Sequence, residues 1–188
     1  MLCSIATHLA LILTLLVTVV RPADSWMTTY QSNFQLACPA GQTVRRLESF
    51  FGVGQYDRVW NMSCSILPNW VDLSSCEWSG AQNNYNEVLI FQCPSDYIVT
   101  GIASTYDRSK LDRIWSFQCC NPQDYVTHEC MYTSFINTYG DVMNYRVPND
   151  HVLRGVESIY DQNRRDRLYK FDICKLAPVD FNNHVIVG

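Results

Sequence analysis

Three short segments of the chain alternate between apolar and polar positions, with the period of two that is typical of half-buried β-strands. In residues 57–64 one face carries Arg58, Trp60, Met62 and Cys64. The same face of the other two segments carries Arg113, Trp115, Phe117 and Cys119, and then Arg167, Tyr169, Phe171 and Ile173. We expect these faces to form the core, because burying each aromatic ring contributes roughly 1.5–3 kcal/mol.

Each alternating segment follows a stretch of strand length that is rich in β-branched and aromatic residues. These stretches are residues 43–51, 98–106 and 152–160. The loops between stretch and segment contain the turn-forming residues Gly52, Gly54, Asp107, Ser109, Asp161 and Asn163. The pattern predicts three β-hairpins.

The hairpins belong to a longer internal repeat. Cys38-Pro39, Cys93-Pro94 and Val147-Pro148 open three copies, and in each copy the residue before Pro lies 19 positions before an Asp-Arg pair. The copies start 55 and 54 residues apart, which divides the chain into repeats of approximately 31–85, 86–140 and 141–188. With the short strands expected between hairpins, each repeat would supply about four strands. We therefore expect an all-β fold with pseudo-threefold symmetry that resembles a β-prism, with a β-trefoil as the alternative.

The beginning of the sequence has the character of a secretory signal. Leu9–Val20 is an apolar run of 12 residues, too short to cross a membrane that needs about 20 residues of helix. Small residues at Ala23 and Ser25 suit a cleavage site, so we expect residues 1–25 to be a signal peptide and 26–188 to be one mature domain. No second apolar stretch approaches 18 residues. The sequence predicts a secreted protein without a transmembrane segment.

Cysteine usage agrees with an oxidising compartment. Nine cysteines are present, and removal of Cys3 with the signal peptide leaves an even number of eight. The hairpin periodicity predicts the disulfides Cys38–Cys64 and Cys93–Cys119, since both positions become apolar together in the third copy. Cys76 and Cys130 lie in the connections that follow copies one and two, and Cys120 and Cys174 face away from the aromatic face of the next return strands. We therefore propose the pairs Cys76–Cys120 and Cys130–Cys174. No Cys-x-x-Cys pair occurs, so neither a metal site nor a cofactor is expected.

Composition narrows the function further. Hydrophobic residues make up 47% of the chain and charged residues 17%, which excludes a disordered protein, and the 13% aromatic content favours strands. The net charge of −4 and the lack of a lysine-rich block argue against nucleic-acid binding. Common catalytic motifs are missing, so we expect a protein that is not an enzyme. A secreted glycan hydrolase that uses paired carboxylates is the less favoured alternative.

The repeated triplets are the candidate functional residues, and they allow two interpretations. As glycan sites, a carboxylate and a guanidinium would bracket sugar hydroxyls while a ring packs on the sugar. As scaffold, each arginine would stack on the ring two residues along and form an ion pair where its strand begins. The scaffold interpretation is the favoured one. The triplets are Asp57, Arg58 and Trp60; Asp112, Arg113 and Trp115; and Asp166, Arg167 and Tyr169.

One further motif is a sequon. Asn61-Met62-Ser63 is the one N-glycosylation acceptor sequence that we identify, and Asn61 lies opposite the aromatic face of its strand. We therefore expect Asn61 to be accessible for glycosylation.

The repeated Asp-Arg-x-Trp/Tyr-x-Met/Phe pattern, with its Cys-Pro openings and the Cys119-Cys120 doublet, resembles the dermatopontin family. The resemblance covers Gln31 to Lys175. It implies a small secreted matrix protein that binds glycans, proteoglycans or matrix fibres, supports cell adhesion and self-associates. Invertebrate relatives include haemagglutinin and amebocyte-aggregation factors, so a defence lectin that aggregates cells is the alternative. An Arg-Gly-Asp tripeptide is missing, since Val156 follows Arg154-Gly155, and integrin recognition through it is not carried over.

Overall fold

A computed structural model describes residues 26–67 and 71–179 of the chain. The expected signal peptide, residues 1–25, lies outside the described residues. Within the described ranges all regular structure is strand, which confirms the all-β prediction. The eleven strands are β1 (Phe34–Ala37), β2 (Gln42–Gly52), β3 (Asp57–Ile66), β4 (Leu73–Trp78), β5 (Leu89–Gln92), β6 (Ile98–Asp107), β7 (Asp112–Pro122), β8 (Tyr125–Tyr132), β9 (Met143–Arg146), β10 (His151–Asp161) and β11 (Asp166–Pro178).

Three long antiparallel hairpins organise the strands into three sheets. We call β2–β3 the first hairpin, β6–β7 the second and β10–β11 the third. The sheet orders are β3-β2-β9, β1-β6-β7-β4 and β5-β10-β11-β8. In every sheet the short strand beside the hairpin comes from a different expected repeat: β1 pairs with β6, β5 with β10, and β9 with β2. The repeats therefore exchange strands.

Each hairpin contains one irregularity at a similar place. The register shifts lie between Val44 and Arg46, between Val99 and Gly101, and between Leu153 and Gly155. At Gly155 an added Cβ would lie 2.3 Å from the carbonyl oxygen of Phe91, so the approach of β5 requires a residue without a side chain.

The hairpin loops close with a residue in the left-handed region. Tyr56, Leu111 and Arg165 have φ values of 50°, 53° and 54°, and each donates its N–H to the last residue of the preceding strand. Aspartates at Asp107 and Asp161 accept backbone N–H groups from the loops that follow them, as in Asx turns. The predicted turn chemistry is therefore present in the second and third loops.

The inward faces of the sheets meet in one main apolar core. It contains the predicted aromatic positions, among them Trp60, Trp115 and Tyr169, which are 2–4% exposed. A smaller cluster forms where Leu67 and Val71 pack near Ile98 and Val152. The alternation in the sequence therefore predicted correctly which faces of the strands form the core.

Four disulfides stabilise the fold, and two of them, Cys76–Cys120 and Cys130–Cys174, join neighbouring strands of one sheet. Cys38–Cys64 and Cys93–Cys119 each span 26 residues, and Cys76–Cys120 and Cys130–Cys174 each span 44. The pairing is the one expected from the sequence. The longer two attach β4 and β8 to the return strands of the next hairpins, and thereby link consecutive repeats covalently. No helix in the described ranges has the length and apolar character to cross a membrane.

Candidate functional site

The three Asp-Arg pairs meet at one end of the molecule, where the hairpin loops converge. Each arginine forms a two-pronged ion pair with the aspartate of another hairpin, with Nε and Nη2 donating to the two carboxylate oxygens. Asp57 accepts from Arg113 at 2.7 and 2.7 Å. Asp112 accepts from Arg167 at 2.7 and 2.6 Å, and Asp166 accepts from Arg58 at 2.7 and 2.7 Å. The pairs close a ring through all three hairpins, which we call the ion-pair ring.

The ion-pair ring is buried, and its carboxylates accept hydrogen bonds from the backbone as well as from the arginines. Its six side chains are 2–4% exposed. Each carboxylate also accepts a backbone N–H, from Gln31 at 2.6 Å, Asn86 at 2.6 Å and Gly140 at 2.9 Å. These three donors have φ values of 58°, 65° and 81°, so the same left-handed turn presents each N–H to its carboxylate. Each of the six charges is thus paired within the protein, although the buried Nη1 of Arg167 has no hydrogen-bond partner among the described residues.

Each arginine of the ring lies over an aromatic ring from the opposite strand of its own hairpin. The guanidinium carbons are 5.6 Å from the centroid of Phe51, 5.2 Å from Tyr106 and 5.4 Å from Tyr160. Burial raises the pKa of the Tyr106 hydroxyl to about 12, with the Asp57 carboxylate acting in the same direction. The scaffold interpretation expected stacking on the ring two residues along and an ion pair where each strand begins. The ion pairs do lie at the beginnings of β3, β7 and β11 and join different hairpins, whereas the stacking is across each hairpin.

The aromatic members of the triplets lie beneath the ion-pair ring. Trp60 contacts Trp115 with centroids 5.0 Å apart and Tyr169 at 5.4 Å, and Trp115 and Tyr169 are 6.0 Å apart. All three contacts are edge-to-face, the arrangement that aromatic quadrupoles favour. Burial raises the pKa of the Tyr169 hydroxyl above its ordinary value. None of these three rings has a face open to a sugar.

A small recess opens beside the ion-pair ring. It is lined by ring residues together with Tyr56, Leu111 and Arg165 of the loops, and its volume is about 20 Å³. Such a space holds a single water molecule and not a sugar. Within the described residues no group of three or more His, Cys, Asp or Glu side chains could hold a metal ion. The triplets therefore connect the three hairpins to one another through ion pairs.

An open groove lies between the loops of the second and third hairpins. Its volume is about 580 Å³, within the range of small-molecule sites. It offers two cationic side chains, two phenol rings and several amides, and no carboxylate lines it. The lining residues are Tyr85, Asn86, Ser109, Lys110, Tyr160, Gln162, Asn163 and Arg165. The repeat pattern did not reveal this groove, because the loop residues differ between copies.

Asn61 occupies the outer face of its sheet, as expected. The side chain is half-buried, and its Oδ1 accepts a hydrogen bond from the Met27 backbone N–H at 2.7 Å. Ser63, the third residue of the sequon, is exposed. The acceptor nitrogen Nδ2 lies on the side of the amide away from this hydrogen bond.

Comparison with known proteins agrees with the resemblance stated above. The family model described as Dermatopontin matches residues 28–178. The chain belongs to the dermatopontin family. The match spans all eleven strands, the ion-pair ring and the four disulfides.

Several members of known name are similar over most of their length. The hemagglutinin/amebocyte aggregation factor of Limulus polyphemus is 28% identical over 156 residues, covering 82% of this chain and 89% of that protein. Dermatopontin of Biomphalaria glabrata is 32% identical, covering 76% and 94%. Dermatopontin of Sus scrofa is 31% identical, covering 84% and 87%. No solved structure matches the chain.

Proposed function

We propose that this protein acts outside the cell as a non-enzymatic matrix and adhesion protein that binds glycans, proteoglycans or matrix fibres. Membership of the dermatopontin family across residues 28–178 carries the proposal. The four disulfides support it, because such bonds persist in oxidising compartments and are rare in the cytosol.

The triplets serve as scaffold in this proposal, and ligands bind elsewhere. Support comes from the burial of the ion-pair ring and from the edge-to-face packing of the three central rings. The same contacts weigh against the hydrolase alternative, since carboxylates held in two-pronged pairs are not available to transfer protons to a glycan. The groove between the second and third loops supplies what the triplets cannot: partly exposed phenol rings, amide groups and the cations Lys110 and Arg165.

A binding panel tests this assignment. The secreted protein would be screened against a glycan array, heparin and collagen, with Lys110→Ala as the variant. Gln55, which holds the corresponding position in the first loop, gives the matched control Gln55→Ala. We expect the Lys110 variant to lose binding severalfold with an unchanged melting temperature and the control to bind normally. Equal binding by both variants would contradict the assignment of the groove as the ligand site. Failure of the wild-type protein to bind any target would contradict the proposed binding function.

An agglutinin is the second candidate. It is favoured by the similarity to the Limulus protein, whose name describes haemagglutination and amebocyte aggregation. Cell aggregation by the purified protein would favour the agglutinin. Faster or slower collagen fibril assembly without aggregation would favour the matrix organiser. Self-association, measured by sedimentation, would place two copies of the groove in one assembly and let that assembly link two surfaces.

We also propose that the three hairpins are related by a pseudo-threefold axis in a β-prism-like arrangement. Support comes from the ion-pair ring and from three matching hydrogen bonds, in which Met27, Gln82 and Ile136 donate N–H groups to the carbonyls of Trp60, Trp115 and Tyr169. An experimental structure tests this, and a trefoil arrangement or unequal rotations between hairpins would overturn it.

A further inference from the structure

The sequon lies beside a small aromatic surface on the outside of the first hairpin. Trp26 stacks on Phe50 with ring centroids 6.4 Å apart, and Phe50 is 42% exposed. Phe50 is opposite Val59 in the β2–β3 register, so Asn61 is one of its two diagonal neighbours on β3. Met27, the residue after Trp26, donates its N–H to Asn61 Oδ1. The acceptor side chain and the two rings therefore share one patch.

The other two hairpins provide internal comparisons for this patch. Because Met27, Gln82 and Ile136 make the same hydrogen bond to β3, β7 and β11, the residues before them hold corresponding places. The residues that come directly after the three carbonyl acceptors on β3, β7 and β11 also hold corresponding places. The corresponding pairs are Trp26 with Asn61, Ala81 with Ser116, and Phe135 with Lys170.

The three pairs differ in how the aromatic position is covered. In the third hairpin Lys170 covers the aromatic residue, with Nζ 4.6 Å from the centroid of the Phe135 ring. In the second hairpin Ala81 has no ring, and the facing residue is the small Ser116. In the first hairpin the largest ring faces Asn61, whose side chain is too short to cover it. This is the one pair of the three that carries a sequon.

We propose that Asn61 carries an N-linked glycan whose first sugar packs on Trp26 and Phe50, as the Lys170 side chain does on Phe135. In the transfer, Nδ2 displaces a lipid diphosphate from the anomeric carbon of a lipid-linked oligosaccharide. The Nδ2–C1 bond forms, the C1–O bond to phosphate breaks, and the amide proton passes to the transferase. The apolar CH face of the sugar then shields the two rings, while its hydroxyls stay in water.

This inference rests on the extracellular location in the proposed function, and its test separates the two. The full chain is produced in secreting eukaryotic cells and weighed before and after treatment with an N-glycan amidase. Ser63→Ala removes the acceptor sequence and keeps the Asn61–Met27 hydrogen bond. Phe50→Thr removes one of the rings and installs the residue found at this position in the second hairpin, Thr105. The double variant completes a thermodynamic cycle.

We expect the amidase to remove a glycan from the wild type and not from Ser63→Ala. Loss of the glycan should lower the melting temperature by about 2–4 °C when Phe50 is present and by clearly less when it is Thr. A glycoform trimmed to one sugar should melt like the full one. A secreted chain without a glycan, or equal losses in both backgrounds, would overturn this inference and leave the adhesion proposal standing. An unglycosylated chain retained in the cytosol would overturn both.

Discussion

Replacement of Asp57 by Asn is the sharpest perturbation of the ion-pair ring. The Asp57 carboxylate accepts two bonds from Arg113 and one from the Gln31 backbone N–H, and its side chain is 2% exposed. Asn keeps the shape of the side chain and removes its charge. The Arg113 guanidinium then stays buried without a counter-ion, so we expect the free energy of unfolding to fall by about 3–5 kcal/mol.

A double variant distinguishes loss of the pair from loss of shape. Arg113→Met removes the buried cation, so Asp57→Asn together with Arg113→Met leaves no isolated charge at this corner of the ring. We expect the double variant to lose less stability than the sum of the single variants, by about 1–3 kcal/mol. The matched control is Glu157→Gln, which breaks the partly exposed Lys170–Glu157 pair at 3.2 Å and should change stability by about 0–1 kcal/mol.

Urea unfolding with all disulfides intact measures these changes. Tryptophan fluorescence is a suitable signal, because Trp60 and Trp115 lie directly beneath the ion-pair ring. Since the charges are shielded from water, the effect of Asp57→Asn should persist at high salt. A loss below about 1 kcal/mol for Asp57→Asn, or additive losses in the double variant, would refute the claim that the ring is a coupled buried network.

Three further expectations concern other parts of the fold. The pKa of Tyr106 is raised from 10.0 to about 12, so the unfolded chain loses that proton first as pH rises. Stability should therefore fall as pH increases from about 10 towards 12, and the urea midpoint of Tyr106→Phe should fall less between pH 8 and 10.5. Cys93→Val with Cys119→Ile installs the apolar pair of the third copy; opening this 26-residue loop should reduce stability by about 3.5 kcal/mol without loss of the fold, judged by circular dichroism. Unchanged stability would show that the bond is not a constraint on the unfolded chain. Gly155→Ala places a methyl group 2.3 Å from a carbonyl oxygen of β5 and should lower stability by about 1–3 kcal/mol in thermal melts, whereas Gly54→Ala, which meets nothing within 4 Å, should be neutral. Equal melts for the two glycine variants would contradict the close approach of β5.

The hairpins and the two 26-residue disulfides were predictable because both follow from local rules. A period of two assigns each side chain to a face, and Cys64 lies on the same face as the aromatic residues of its strand, while Cys38 opens the same copy. The joint replacement of the second cysteine pair by Val147 and Ile173 in the third copy supplied independent support. These signals depend on neighbours within one repeat, which a single sequence contains.

The ion pairs and the strand pairing between repeats were beyond the same reasoning. Every copy has the same Asp-Arg pair, so composition and spacing cannot distinguish Arg113 bound to Asp112 from Arg113 bound to Asp57. Only the placement of the hairpins around one another decides this, and the structure pairs Arg113 with Asp57. The exchanged short strands were missed for a similar reason, since β1 and its partner β6 belong to different copies. The groove between the second and third hairpin loops was not predicted, because the residues that line it are not repeated between copies.

The direction of pairing has a consequence for how the molecule holds together. Each hairpin contributes both an aspartate and an arginine to the ion-pair ring, and neither finds its partner within that hairpin. Two assembled hairpins can therefore satisfy only one pair and leave an arginine and an aspartate uncompensated at the interface. Burial of those two charges is strongly unfavourable, so the third hairpin must pack against the other two before the six charged side chains can be buried. Because burial of an incomplete ring is unfavourable, we infer that the final packing of all three hairpins forms in one cooperative step. The exchanged strands and the two 44-residue disulfides hold the hairpins close enough for this step to occur.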